Sequence, residues 1–296
     1  MVAITAAMPS GTGTSIFAKA HPQRFFDVGI AEGHAVTFAA GLAAGGVRPV
    51  VAIYSTFLQR AYDNIVHDAA IQHLPVVFAM DRAGLVGEDG ETHMGLYDIA
   101  YMLAIPEMTV TAPRDGTEML ALLQAAVQHD AGPFCLRYPR DAAPDLVPPL
   151  AEIEPTPYGT WDVVRRGTGG TAILAVGTMV RQALAAAETL AAEGLDVTVV
   201  NCRFLKPYDQ LTLTMLLGDH ERILTVEEGT VVNGFGAFMA REIDRLDPAA
   251  RVDTLGVPDR IMYAAARKRQ LQLCGLDPEG IAARVRALHE SEAVAG

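Results

Sequence analysis

Short, uninterrupted apolar runs recur along this chain, each followed by a stretch rich in Ala with helical spacing. The runs 2–5 (VAIT), 49–53 (PVVAI) and 75–80 (PVVFAM) show no polar alternation. A strand with one face in water alternates polar and apolar residues, whereas a strand covered on both faces does not. Parallel sheets layered between helices cover both faces, so the pattern points to an α/β architecture. Further strands are expected at 24–30, 108–112 and 133–137. Helices are expected near 13–20, at 32–45, 57–70 and 115–128. In 32–45, Val36, Ala39, Ala40 and Ala43 share one helical face.

A change of composition follows. Pro139, Pro144, Pro148, Pro149, Pro155 and Pro157 crowd one short segment, which reads as a semi-rigid surface linker. The alternation then restarts, with strands at 171–176, 196–200, 222–226 and 251–255 and helices at 178–193, 208–217, 235–246 and 277–289. At 296 residues the chain has room for two ordinary domains. The expected fold is thus α/β with two domains, each a mainly parallel sheet flanked by helices. They occupy 1–145 and 161–296, joined by a Pro-rich linker over 146–160.

Charge and cysteine usage narrow the function. The formal charge of −12 argues against a general nucleic-acid binder or a partner of anionic membranes, though local arginines can still bind an anionic small molecule. No apolar run reaches the roughly 20 residues of a spanning helix, and the start lacks a basic segment followed by an apolar one. Cys135, Cys202 and Cys274 are odd in number and far apart, without metal-binding spacing. They read as reduced thiols of a cytoplasmic protein.

Several segments could carry chemistry. Gly11-Thr12-Gly13 follows a strand and precedes a helix, as in a dinucleotide-binding turn; however, Ile16 stands where that fingerprint needs Gly and Asp27 comes early. A plain strand-to-helix turn is the other reading. Glu32 opens a helix at the carboxyl end of a strand, where open α/β sheets place ligands; acidic decoration of a helix start is the alternative. The loop from Asp81 to Gly95 concentrates Arg82, Glu88, Asp89, Glu91 and His93 among glycines. Long structured loops after strands often carry function, and the acids match no zinc or EF-hand spacing. Tyr54 and Phe57 could line a site or cap the core. Arg137 and Arg140 could bind phosphate or solvate a domain edge. Glu227-Glu228 could be a domain-interface element or a solvated turn.

Taken together, the strings DVGIAEGHAVTFAAGLA, VVAIYSTFLQRAYDNIVHDAAIQHLPVVFAMDRAGLVGEDGETHMG and FCLRYPR resemble the 1-deoxy-D-xylulose-5-phosphate synthases, thiamine-diphosphate enzymes of the transketolase superfamily. NCRFLKPYD, LTVEEGTVVNGFGAF and LGVPD extend the resemblance over nearly the whole chain. It implies a pyrimidine-binding domain followed by a transketolase C-terminal domain. The implied reaction joins decarboxylated pyruvate to D-glyceraldehyde 3-phosphate. By this resemblance Glu32 bonds the aminopyrimidine ring nitrogen, Phe57 stacks on that ring and Tyr54 lines the pocket. His93 transfers a proton to the acceptor, Asp89 bonds an acceptor hydroxyl, and Arg82 and Arg137 bind its phosphate, with Arg140 as helper. Gly33 stands where the family often has a larger polar residue.

The motif that holds the cofactor diphosphate and Mg²⁺ in this family is not found in the sequence. No metal ligands are therefore assigned here, and Met1 stands in mid-pattern, as in a truncated gene, a split subunit or an excised piece. The expectation is a homo-oligomer that is inactive alone, being either half of an enzyme completed by a separate diphosphate-domain subunit or a non-catalytic remnant. Its loop 84–95, short of apolar contacts, is expected to be mobile without that partner.

Overall fold

The computed structural model describes residues 1–143 and 147–293. The expected boundary at 145/146 and Pro144 lie outside the described residues. The first sheet contains β1 (Val2–Thr5), β2 (Phe25–Asp27), β3 (Pro49–Tyr54), β4 (Val77–Asp81), β5 (Thr109–Thr111), β6 (Phe134–Arg137) and β10 (Phe204–Lys206), in the order β10-β5-β6-β4-β3-β1-β2. The second contains β7 (Asp162–Arg165), β8 (Thr171–Ala175), β9 (Thr198–Asn201), β11 (Arg222–Thr230) and β12 (Arg251–Val257), in the order β12-β11-β8-β9-β7. Pairing is parallel except for β10 against β5 and β7 against β9.

The apolar runs do what their lack of alternation requires. β4 and β8 are buried at every position. Helix Glu32–Ala44 turns Ala35, Val36, Ala39, Ala40 and Ala43 inward, and these small side chains let it lie close to the sheet. The expected helix at 57–70 is instead a broken one. An α turn at Ser55–Leu58 gives way to a 3₁₀ turn at Gln59–Ala61, a short α segment at Tyr62–Asn64 and a wide π turn at Ile65–Ala70. Such irregular turns re-aim side chains and recur at functional sites.

The two halves are interlocked. β10 comes from the second half yet forms the edge of the first sheet, and the Trp161 Nε1–H donates to the Phe204 carbonyl (2.7 Å) beside it. β11 is longer than expected and carries Glu227 and Glu228 as buried strand residues, not as a turn. They form part of the interface between the halves. Glu227, 1% exposed, accepts from the N–H groups of Phe235 (2.9 Å) and Gly236 (2.8 Å) at the start of helix Phe235–Leu246. Burial pushes its carboxyl up to about 7, although those N–H groups and Arg137 pull it down.

That carboxyl sits above its ordinary value of 4.5, so the folded chain keeps a proton that the unfolded chain has already lost. The resulting stabilisation is full below the ordinary value and fades as pH rises through the folded one. Its full size is roughly 3 kcal/mol. In urea unfolding at about pH 5 and about pH 7.5, the native chain should lose up to that amount relative to Glu227→Gln. Equal losses in the two proteins would show that Glu227 does not titrate in this range.

Candidate active site

Side chains that follow the carboxyl ends of β3 and β4 meet in one connected cluster, with the segment after β1 packed against it. Glu32, at the first turn of its helix, is 4% exposed, and its carboxylate accepts from the Arg60 guanidinium at 2.5 Å. A buried carboxylate needs such a partner. The Arg60 side chain is itself more than half exposed, and its guanidinium lies 5.0 Å from the centre of the Phe57 ring. Phe57 stacks on Tyr54 (5.5 Å between centres, 12° between planes) and meets His93 edge-on at 5.3 Å. The structure thus gathers Tyr54, His93 and Arg60 around the Phe57 ring, with Glu32 joined to them through Arg60. It adds Arg60, which sequence reasoning left without a role because its partner lies 28 residues away.

The second part of the cluster is cationic. Arg82 follows β4 in the left-handed backbone region (φ 58°), which a non-glycine residue adopts at a cost of about 1–3 kcal/mol. That turn lays its guanidinium 3.8 Å from the centre of the Tyr54 ring. Its Nη1 donates to Asp81 Oδ2 (2.9 Å) and to the Gly11 carbonyl (3.1 Å). Gly11 therefore packs directly against Tyr54 and Arg82, where a Cβ would overlap the Tyr54 hydroxyl. Burial raises the Asp81 carboxyl, and Arg82 offsets part of that rise. Asp89 lies between the cluster's two arginines, 3.6 Å from Arg82 Nε and 3.2 Å from Arg140 Nη1. Arg82 Nε is buried without a hydrogen-bond partner among the described residues.

Arg137 is not in this cation pair, which corrects the expectation that it binds substrate phosphate. It is 5% exposed, with Nε donating to Asp98 Oδ2 at 2.8 Å and Nη2 to the Glu228 carbonyl at 3.1 Å. Asp98 is 1% exposed, so this is a closed ion pair inside the fold. Arg140, expected only as a helper, is the arginine that reaches Asp89 and solvent.

The loop after β4 is also better held than expected. Gly84 and Gly95 exchange backbone hydrogen bonds (2.6 and 2.9 Å), which closes the loop at its neck. Leu85, Val86, Met94 and Leu96 are buried in a core shared with the second sheet. Only the tip, with Glu88, Glu91 and Thr92, is exposed. The apolar contacts thought to be missing are thus supplied by residues far along the chain. His93 Nδ1 lies 2.9 Å from Thr92 Oγ1.

The two arginines should separate cleanly by mutation. Arg137→Ala strands Asp98 in the interior and should cost about 3–5 kcal/mol of stability. Arg140→Ala, at a half-exposed side chain, should cost no more than about 1 kcal/mol. Urea midpoints measure both; similar costs would contradict this assignment.

Comparison with known proteins adds to this geometry. Residues 1–145 match the family model of the transketolase pyrimidine-binding domain, and residues 159–281 that of the transketolase C-terminal domain. The chain is 49% identical over 290 residues to 1-deoxy-D-xylulose-5-phosphate synthase 2 of Geobacter sulfurreducens, across 97% of this chain and 46% of that protein. It is 50% identical over 286 residues to the 1-deoxy-D-xylulose-5-phosphate synthase of Aquifex aeolicus, across 97% of this chain and 45% of that one. The chain therefore spans about half the length of the curated relatives it matches. A solved structure described as a split gene transketolase, an inactive beta4 tetramer, matches with a TM-score of 0.85 at 30% identity, covering 97% of this chain and 91% of that one.

Proposed function

The chain belongs to the transketolase family, as its pyrimidine-binding and C-terminal domains, and on that premise we propose that it is the β-type portion of a thiamine-diphosphate-dependent 1-deoxy-D-xylulose-5-phosphate synthase. The reaction joins the two carbons left after pyruvate loses CO₂ to D-glyceraldehyde 3-phosphate. In this reading the product feeds isoprenoid, thiamine and pyridoxal synthesis in the cytoplasm. No helix among the described residues is long and apolar enough to cross a membrane.

The residues present fit one half of the cofactor. A buried carboxylate on a helix start, beside a partly exposed aromatic face, suits an aminopyrimidine ring. In this reading the diphosphate and its Mg²⁺ are held by another domain; the described residues contain no grouping of three or more His, Cys, Asp or Glu side chains that could hold a metal. When bound, the cofactor supplies an electron sink for the decarboxylated carbon. Glu32 holds a proton at the ring nitrogen, and Arg60 keeps the carboxylate in place. Phe57 supports the ring face, and Tyr54 closes the pocket beside it. His93 transfers a proton to the acceptor's aldehyde oxygen, and Asp89 accepts from an acceptor hydroxyl.

The observation that carries the substrate assignment is Arg82. Its buried Nε lacks a hydrogen-bond partner, while Asp89 lies between it and Arg140. An acceptor phosphate supplies oxygens for both guanidinium groups, whose planar forks suit it. The likeness to a split-gene protein supports a subunit that works only when completed. Ile16 and Ile30, 75% and 82% exposed and close in sequence to Gly11 and Glu32, suit contact with another domain or copy. A homo-oligomer in light scattering is the expected result, and a monomer at micromolar concentration would count against that part.

The test mixes the chain with the diphosphate-binding half of the Geobacter relative, thiamine diphosphate, Mg²⁺, pyruvate and glyceraldehyde 3-phosphate. The chain alone should show no turnover. The mixture should form the pentulose phosphate and CO₂, and Glu32→Ala should lower that rate at least ~100-fold. Turnover of about 1 per second by the chain alone, or an unaffected Glu32→Ala mixture, would overturn the reading.

A further inference from the structure

The loop that carries Asp89 and His93 belongs to the first half of the chain, yet its shape is set by side chains of the second. The Leu85 N–H donates to Glu228 Oε1 at 2.9 Å, and the Gly87 N–H to Gln270 Oε1 at 2.9 Å. Gln270 Nε2 returns a hydrogen bond to the Gly87 carbonyl at 3.2 Å and donates to the Tyr263 carbonyl at 2.9 Å. Arg267 closes the set. Its Nε donates to the Leu85 carbonyl (3.2 Å), its Nη2 to Glu228 Oε2 (2.6 Å) and its Nη1 to Asp141 Oδ2 (2.8 Å). Gln270 is 0% exposed and Glu228 3%, so their bonds to Leu85 and Gly87 form in a dry interior, where leaving them unmade is costly, while the Arg267–Asp141 pair lies at the surface.

The glycines of the loop fit the same contacts. A Cβ on Gly84 would lie 2.7 Å from Glu228 Cδ, and one on Gly87 3.4 Å from the Arg267 backbone nitrogen. Both residues have positive φ, 85° and 68°. They therefore allow the second half to approach the loop backbone and the loop to turn tightly there. From Gly87 the chain enters the 3₁₀ turn Gly87–Asp89, and the His93 N–H then donates to the Gly90 carbonyl at 3.1 Å. Asp89 is thus two residues from a backbone amide gripped on both sides by one buried side chain.

We propose that Gln270, with Glu228 and Arg267, is a positioning residue of the C-terminal domain that holds the acceptor-binding loop, and with it Asp89 and His93, in register with Arg82 and Arg140. The link to acceptor binding rests on the function proposed above; the grip on the loop does not.

Gln270→Met keeps length and removes both Gly87 hydrogen bonds, whereas Gln270→Glu keeps the acceptor for the Gly87 N–H. Amide hydrogen exchange on the full chain reads the loop directly. The Met variant should speed exchange over 87–93 by about tenfold and leave β3 and β4 unchanged, with the Glu variant between it and the native chain. In the completed enzyme the Met variant should raise KM for glyceraldehyde 3-phosphate about tenfold, with KM for pyruvate unchanged. Loop exchange unaltered by Gln270→Met, or exchange rising equally in β3 and β4, would overturn the positioning role. A native mixture without activity would overturn the functional reading instead, and the exchange result would still decide the grip.

Discussion

Between the two sheets lies a set of ionisable side chains buried away from water. Arg137 pairs with Asp98, Glu227 caps a helix start, and Glu228 pairs with Arg267. Each is a liability when unpartnered, because a charge moved from water into the interior loses several kcal/mol of solvation. Each of these pairs lies within one half and makes that burial tolerable, and further bonds from the same groups cross the seam, from Arg137 to the Glu228 carbonyl, from the Leu85 N–H to Glu228 and from Arg267 to the Leu85 carbonyl. Arg137 reaches from β6 to Asp98 and to the carbonyl of Glu228; Glu228 reaches from β11 to the backbone after β4. The relative placement of the halves thus follows from polar satisfaction as much as from apolar packing. β10 extends the argument to the backbone, since its hydrogen-bond partners lie in the other half's sheet.

The chemistry depends on that seam. Glu32 sits on a regular helix whose inner face is packed against β1 and β3, so its position is set locally. Asp89 and His93 sit on a loop, and a loop holds a reacting group in place only when something rigid holds the loop. Here the rigid elements are β11, whose Glu228 holds Leu85, and helix Arg267–Cys274, whose Gln270 holds Gly87. The second half can in this way determine how the site loop is shaped through Glu228 and Gln270.

Much of this was legible in the residues. Unalternated apolar runs gave the parallel strands, and the helical face of Val36, Ala39, Ala40 and Ala43 is buried as its spacing requires. Glu32, Tyr54, Phe57, Arg82, Asp89 and His93 were singled out from position and resemblance, and their side chains form one connected cluster, Glu32 joining it through Arg60. What escaped was whatever depends on partners distant in sequence. β10 is three residues long and has no strand signal apart from its pairing with β5. Helix Arg267–Cys274 (RKRQLQLC) is too polar to read as a packed element, although Gln270 and Leu271 are buried in it. Arg137 and Arg140 look alike in the string RYPR; only the location of Asp98 distinguishes an internal ion pair from a cation of the cluster. The glycines of the loop read as freedom, whereas in the fold they are points of close contact.

The central claim is that the two halves form one cooperative unit joined by this seam. Trp161 is the chain's single tryptophan and touches β10 where that strand enters the first sheet, so its fluorescence reports on the junction. Far-UV circular dichroism reports on all the helices. In a urea titration the two signals should change together in one transition, despite a length at which separate domain transitions are common. A tryptophan transition clearly below the helical one, or two steps in the dichroism, would show that the halves unfold independently and that the seam does not hold them.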